Sequence, residues 1–449
     1  MKLSVVGLGK LGSPIVAVLA SKGYDVVGID TNAHFVEKIN NHIAPVQEPH
    51  LQELLTAHKS RISATADWNK AVGESDITLV IVPTPSGADG AFRNDYVLSV
   101  MDEIGRVLAH KQGYHLVVVH STTMPGSMGG PIRQRLEAAS GRKVGPELGL
   151  CYNPEFIALG DVINGLLRPD FVLIGESDKK AGDLLESIYR KTVGPKANVA
   201  RMNFVNAELT KISVNTYVTM KISFANALGE ICDRLDGADV DVVADAIGRD
   251  TRIGKKYLKP AVGYGGPCFP RDTIAFGRMA HLAGGTADLA LATDTINRRQ
   301  VVRLTEMVGD MISTEGTVAV LGLSYKPNTP VIEESQGVML AKALDEAGFA
   351  VVAHDPLAGG PAAAVLGEST RVLPTTREAL AHADVAVIIT PWSEYAEISP
   401  AWMPDGRTRF IIDCWRQLDP ALFADSSCRI VRLGHQETIA AAVKRLAAE

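Results

Sequence analysis

Apolar residues along this chain gather in short continuous runs. "KLSVVG", "DVVGID", "ITLVIVPTP", "YHLVVVHST", "LGLCYNPEF" and "DFVLIG" read as strands buried on both faces. Between them, apolar positions recur at helical spacing, as with Val16, Leu19 and Ala20. Ser13 and Pro14 ahead of these suit a helix cap and first turn. The alternation predicts a parallel sheet with helices on both faces. Near residue 317 the pattern begins again. "VLASKGYDVVGID" and "ALDEAGFAVVAHD" are each a helix end, a glycine and a strand closing on aspartate, and "ADVAVIITPW" echoes "SDITLVIVPTP". Two matched pairs in the same order predict two domains of one plan.

The stretch between the halves differs. From Asn206 to Leu235, apolar residues at Leu209, Ile212, Met220, Phe224, Leu228, Ile231 and Leu235 meet no proline and one glycine, Gly229. This predicts one long helix with a broad apolar face. Helix is expected again through Ile247, then a glycine-rich loop, then helix to about Gly309. The fold class is therefore α/β: two Rossmann-like doubly wound domains, 1–200 and 311–449, joined by a central long-helix dimerisation region, 201–310. Surplus apolar surface on that region is expected to make a homodimer or higher homo-oligomer.

Composition changes this picture little. The 449 residues exceed one core, and 46% hydrophobic with 21% charged residues is ordinary globular composition. A net charge of -6 argues against a nucleic-acid or anionic-membrane partner, and no apolar run reaches bilayer length. The first residues read as strand and glycine turn, so the expected location is cytoplasmic. Five scattered cysteines, Cys151, Cys232, Cys268, Cys414 and Cys428, show no paired ligand spacing, so no metal is expected. Free thiols in a reducing compartment account for four of them.

Candidate chemistry changes it more. "GLGKLG" (Gly7, Gly9, Leu11, Gly12) follows a strand and opens a helix, the context in which such a turn cradles a pyrophosphate at a helix N-terminus. Asp30 closes the second strand, where a carboxylate accepts ribose hydroxyls and repels a 2'-phosphate, so NAD is expected rather than NADP. Val82, Thr84, Ser121 and Thr122, at other strand ends, are expected to line the same crevice. The second domain lacks the glycine triplet; its turn, "GLSYKPNTP", offers Tyr325 and Lys326, a lysine suited to phosphate.

In "GYGGPCFPRD", Gly263, Gly265 and Gly266 leave little bulk beside Cys268, and Pro267 and Pro270 stiffen the loop. Arg271 favours a thiolate, and Asp272 suits a holder of water or a proton acceptor. A nucleophilic cysteine beside NAD can take an aldehyde through a thiohemiacetal to a thioester, and water then releases an acid. Lys211 and Asn215, four apart on the long helix, are candidate oxyanion donors, and Glu155 in "CYNPEF" is a candidate base.

These stretches, with "VPTP", "STTMPGS", "ELTKISVNTY", "RIGKKYLKPAVGYGGPCFPRD", "LGLSYKPNT" and "HDP", together resemble the UDP-glucose/GDP-mannose dehydrogenase family over nearly the whole chain. The resemblance implies an NAD domain, a helical dimerisation core and a nucleotide-sugar-binding domain. It implies oxidation of a sugar C6 hydroxyl to a carboxylate, with UDP-glucose first and a UDP-N-acetylhexosamine or GDP-mannose as alternatives. By position it makes Cys268 the thioester-forming nucleophile, Lys211 and Asn215 the oxyanion donors, Asp272 and Thr122 holders of a water, and Glu155 the hydrolytic base. Phe156, Ile157, Tyr257, Lys259, Gly263, Gly265, Tyr325 and Lys326 fall on the substrate, with Arg416 as its arginine; Arg271 joins the cofactor set. Arg252 matches an arginine that reaches a neighbouring subunit's site.

There are departures: Leu159 where the family has an acid, Met124 for a proline, and Pro330, Val331 and Glu333 where it carries a carboxylate pair and an NAD-holding arginine. They imply weaker NAD binding or a sugar other than glucose. NAD affinity as tight as in relatives with the arginine would count against the first. Two readings outside this resemblance are a two-electron hydroxyacid dehydrogenase and a non-catalytic nucleotide-sugar sensor.

Overall fold

The computed structural model describes residues 1–157, 159–403 and 407–435. It divides into two compact units, Met1–Ser213 and Val214–Glu449. The first is built on eight strands: β1 (Lys2–Val6), β2 (Asp25–Ile29), β3 (Ile62–Thr65), β4 (Ile77–Val80), β5 (His115–Val119), β6 (Leu148–Tyr152), β7 (Val172–Glu176) and β8 (Val199–Met202). They lie in the order β3-β2-β1-β4-β5-β6-β7-β8. Continuous apolar runs become strands here because helices cover both faces. Leu3, Val5 and Ile77 pack on one side, Val6, Val80 and Val117 on the other.

One pair departs from the expected parallel sheet: β6 and β7 are antiparallel, Cys151 opposite Glu176 and Tyr152 opposite Gly175. A run that is apolar throughout is buried alike in either direction, so its sequence carries no sign of polarity. The edge strands β3 and β8 are only partly buried, which is why no strong apolar run announces them. The first helix starts at Gly12 with Leu11 at its cap, two residues ahead of the expected Ser13 cap. Ser13 instead donates its hydroxyl to the Leu8 carbonyl at 2.5 Å.

The long helix runs from Phe204 to Cys232, close to the expected span, and the division between units falls within it. It leaves Val205, Leu209, Tyr217, Phe224 and Ile231 exposed. In the second unit, helices Val240–Gly248, Phe269–Leu282 and Asp288–Met311 precede an all-parallel sheet. Its strands are β9 (Thr317–Leu321), β10 (Ala350–His354), β11 (Thr370–Val372), β12 (Val385–Ile388), β13 (Phe410–Asp413) and β14 (Arg429–Arg432). Their order, β11-β10-β9-β12-β13-β14, repeats that of β1 to β6, as the doubled sequence pattern predicts. Among the described residues no helix is long and apolar enough to cross a membrane.

Candidate active site

In the first unit, β1 is followed by Gly7, whose φ of +93° is open to glycine, and a side chain there would run into the Ile81 carbonyl. A side chain on Gly12 would strike the Gly7 carbonyl, whereas one on Gly9 would meet nothing within 4 Å. The turn is thus closed by protein at its two ends and open at its middle, where a pyrophosphate needs room. The helix Gly12–Ser21 has no side-chain cap and no acid in its first turn, so its leading N–H groups suit an anion. Asp30 is half-buried; its carboxylate accepts from the Leu8 N–H at 2.7 Å and the Asn32 N–H at 2.8 Å, leaving capacity for ribose hydroxyls. The Val82 N–H donates to Ser121 Oγ at 3.0 Å, Ser121 Oγ donates to the Val82 carbonyl at 2.6 Å, and Thr84 donates to the Thr122 carbonyl at 2.7 Å. These bonds fix the strand ends beside the turn. The residues present therefore fit a dinucleotide.

Glu155 follows β6 and receives the His120 Nδ1–H at 3.0 Å. A carboxylate only accepts, so this bond sets the imidazole tautomer. Next to it, the Phe156 ring lies 4.8 Å from the Lys211 ammonium, a cation–π contact that holds a buried lysine. Glu208, one turn before Lys211, is fully buried and ties down the loop after Thr122. It accepts from Thr123 Oγ1 at 3.0 Å, the Gly126 N–H at 2.8 Å and the Met128 N–H at 2.8 Å. Burial pushes its carboxyl up, and the backbone N–H groups pull against that. It opens the stretch "ELTKISVNTY", but its role is hidden from the local sequence because its partners lie some eighty positions away.

In the second unit, Cys268 is exposed while Cys151, Cys232, Cys414 and Cys428 are buried. Burial pushes the Cys428 thiol up to about 12 and raises the Cys151 and Cys414 thiols as well. Cys268 caps the helix Phe269–Leu282, so the peptide dipoles favour a negative sulfur there. Asp272, 1% exposed, receives the Asn215 amide at 2.6 Å on Oδ2. Its Oδ1 accepts no hydrogen bond and lies 3.6 Å from Arg271 Nε. A buried carboxylate oxygen with lone pairs to spare suits the water-holding role expected of it.

The glycine loop has a second reason for its composition. A side chain on Gly263 would meet Asn297 and Gln336, one on Gly265 the Glu334 carbonyl, and one on Gly266 the Tyr325 ring. Two buried amides that sequence reading missed clamp the same loop. Asn226 holds the Ala261 N–H and Val262 carbonyl, both at 2.9 Å, and Asn297 holds the Tyr264 N–H at 2.6 Å and carbonyl at 3.0 Å. Tyr257 and Lys259 are exposed on this loop, and Tyr257 has φ +65°, a strained position for a side-chain-bearing residue. Lys326 sits 5.9 Å above the Tyr325 ring, and burial, with Cys268 beside it, pushes the Tyr325 phenol up. Ile157 is partly buried in the first unit.

Two arginines contrast. Arg252 projects to solvent, paired with Asp250 at 2.6 Å. The Arg416 side chain is 3% exposed, and all five of its donors are engaged: two on Asp241, and one each on the Pro260, Cys414 and Leu433 carbonyls. In this structure Arg416 fastens its own loop to Asp241 and the Pro260 carbonyl. Asp239, Asp241 and His435 bring ligand atoms within 4.8 Å of one another, but Arg416 already occupies Asp241.

Sheet order and the glycine turn define a doubly wound, dinucleotide-binding protein. Matches along the sequence narrow this, and the chain belongs to the UDP-glucose/GDP-mannose dehydrogenase family. The family's NAD binding domain matches residues 1–193, its central domain 205–299 and its UDP binding domain 319–420. The chain is 34% identical over 424 residues to UDP-glucose 6-dehydrogenase AglM of Haloferax volcanii, covering 92% of this chain and 96% of that protein. It is 35% identical over 353 residues to GDP-mannose 6-dehydrogenase of Pseudomonas savastanoi pv. phaseolicola, covering 78% and 79%. A solved UDP-glucose dehydrogenase from the hyperthermophilic archaeon Pyrobaculum islandicum superposes with a TM-score of 0.84 at 34% identity, covering 93% of this chain and 95% of that one.

Proposed function

We propose that this protein is an NAD-dependent nucleotide-sugar 6-dehydrogenase that carries a C6 hydroxyl to a carboxylate through a thioester on Cys268. UDP-glucose is the first choice of substrate. The fuller coverage of the UDP-glucose relative, 92% of this chain against 78% for the GDP-mannose one, supports uridine over guanosine. The observation that carries the reading is a single exposed thiol at a helix start, four residues before the buried Asp272 that Asn215 holds.

The Gly7–Gly12 turn and Asp30 would hold NAD, which would supply the hydride acceptor for both oxidations, of the alcohol and then, as a second molecule, of the thiohemiacetal. The chain's residues do the rest. Cys268 as thiolate adds to the aldehyde carbon, forming the C–S bond. Lys211 and Asn215 donate to the oxygen on which charge collects. After the second oxidation leaves a thioester, a water held by Asp272 and Thr122 attacks its carbonyl carbon. Glu155 takes the water's proton, the C–S bond breaks, and the thiol returns. Phe156, Ile157, Tyr257, Lys259, Gly263, Gly265, Tyr325 and Lys326 are proposed to hold the nucleotide sugar.

Residues 1–200, 201–310 and 311–449 would serve as cofactor, dimerisation and sugar-nucleotide segments. The exposed Tyr217, Phe224 and Ile231 would form the dimer face, and Arg252 would reach the neighbouring copy's site. The test is NADH yield and product mass over a panel of nucleotide sugars. Two NADH per acid are expected; one fits the hydroxyacid reading, and none the sensor. Cys268→Ala is expected to cut acid formation by about 10³-fold or more. A variant that still makes acid removes the covalent step.

A further inference from the structure

Glu208 is a fully buried carboxylate with no part in the chemistry above. Its place is unusual for a charge. It sits in the first unit, in the opening turns of the helix Phe204–Cys232, and both oxygens are committed to one loop. Oε1 accepts from Thr123 Oγ1 at 3.0 Å and the Met128 N–H at 2.8 Å, and Oε2 from the Gly126 N–H at 2.8 Å. That loop begins next to Thr122. It is also irregular: Gly126 has φ +94°, and the Met128–Ile132 turn is wide, with Gly130 at φ -98° and ψ -111°. Such a backbone offers several N–H groups that no regular element satisfies, and one carboxylate collects them.

The rest of the loop is held from elsewhere. The Thr84 hydroxyl binds the Thr122 carbonyl at 2.7 Å, and the Asn94 amide donates to Ser127 Oγ at 3.0 Å. Glu208 differs from these anchors because its own helix carries Lys211 one turn further on. A single side chain therefore connects the loop that follows the proposed water holder, from Thr123 to Met128, to the helix of the proposed oxyanion donor.

We propose that Glu208 is a positioning residue for thioester hydrolysis, fixing Thr122 against the Lys211 helix so that the water meets the thioester carbon. This rests on the proposed function. It predicts a selective defect: both oxidations proceed, and the last step lags. A purely structural role would lower every step together or only reduce stability.

The test is Glu208→Gln in the full chain, supplied with NAD and UDP-glucose (or whichever sugar the panel selects). The amide keeps the size but turns an NH₂ toward backbone donors. The expected result is a burst of NADH followed by slow turnover, with hydrolysis reduced on the order of 10²-fold. Intact-protein mass should show the sugar nucleotide attached at Cys268 in excess of the unaltered protein. Thr123→Ala removes one of the three bonds and should show the same adduct to a smaller degree; it decides the matter if Glu208→Gln does not fold. A folded variant with an unaltered hydrolysis rate, or a slow one with no added adduct, overturns the inference while leaving the proposed function in place. Unaltered protein that yields one NADH per sugar, or none, overturns both.

Discussion

The two α/β halves of this chain use one scaffold and end with different capacities. In each, a glycine after the first strand donates its N–H to the end of the second: Gly7 to Ile29 and Gly322 to His354, both at 2.8 Å. Each has an aspartate just beyond that strand accepting the next N–H at 2.7 Å, Leu8 to Asp30 and Leu323 to Asp355. A second glycine packs the helix onto the turn, Gly12 against Gly7 and Gly337 against Gly322. The difference lies in what remains open. Asp30 accepts two protein N–H groups and is half-buried. Asp355 is buried and accepts from Leu323, Ser324 (twice), Leu357, Ala358 and the Trp392 indole. Burial pushes Asp355 up, but the backbone N–H groups outweigh it and hold the carboxyl below the usual range. The same acid at the same strand end is free to read a ribose in one half and serves as a bolt in the other.

The contrast breaks most severely on exchange of these two acids. Asp355→Ala is expected to cost about 3–5 kcal/mol of stability in urea unfolding, because buried donors lose their charge partner. Asp30→Ala should instead lower NAD affinity roughly 10- to 100-fold by titration, at small cost to folding. Similar losses of stability in the two variants would erase the distinction.

Acid sharpens it next. In the first half, burial, with the Lys111 charge beside it, lowers the His115 imidazole to about 3. The unfolded chain then takes up a proton below about 6.5 that the folded one refuses, so stability is full above that pH and falls as pH drops toward 3. The slope is at most about 1.4 kcal/mol per pH unit, or about 2 kcal/mol lost by pH 5. His115→Gln should flatten that slope between pH 6.5 and 5; an unchanged slope would assign it to other groups.

Gly9→Ala carries the smallest change. Its side chain enters open space, so melting should be unaltered while NAD affinity falls about tenfold by titration, the methyl standing where the pyrophosphate goes. A lowered melting point with normal affinity would mean that the turn's middle is structural too.

The first glycine turn was readable because its three glycines fall within six positions. Its counterpart was not, because Gly322 and Gly337 are separated by the loop that carries Tyr325 and Glu333, and that loop packs on the cysteine segment. Strand runs were legible where both faces are covered and faint at the edges β3 and β8. Cys268 stood out by its neighbours, but the residues that fix its surroundings, Asn226 and Asn297, are ordinary helix amides until the fold brings the loop to them. Arg416 was visible as a residue type; its full engagement depends on Asp241 and Pro260, more than 150 positions away.

The uneven burial of the five cysteines also decides how the folded protein meets electrophiles. With four thiols buried, iodoacetamide is expected to find a single cysteine, and on the proposed mechanism that modification stops turnover while leaving the fold intact. Solvent access makes this thiol the exposed cysteine of the chain for oxidation, reversible by added thiol while the sulfur remains at the sulfenic stage.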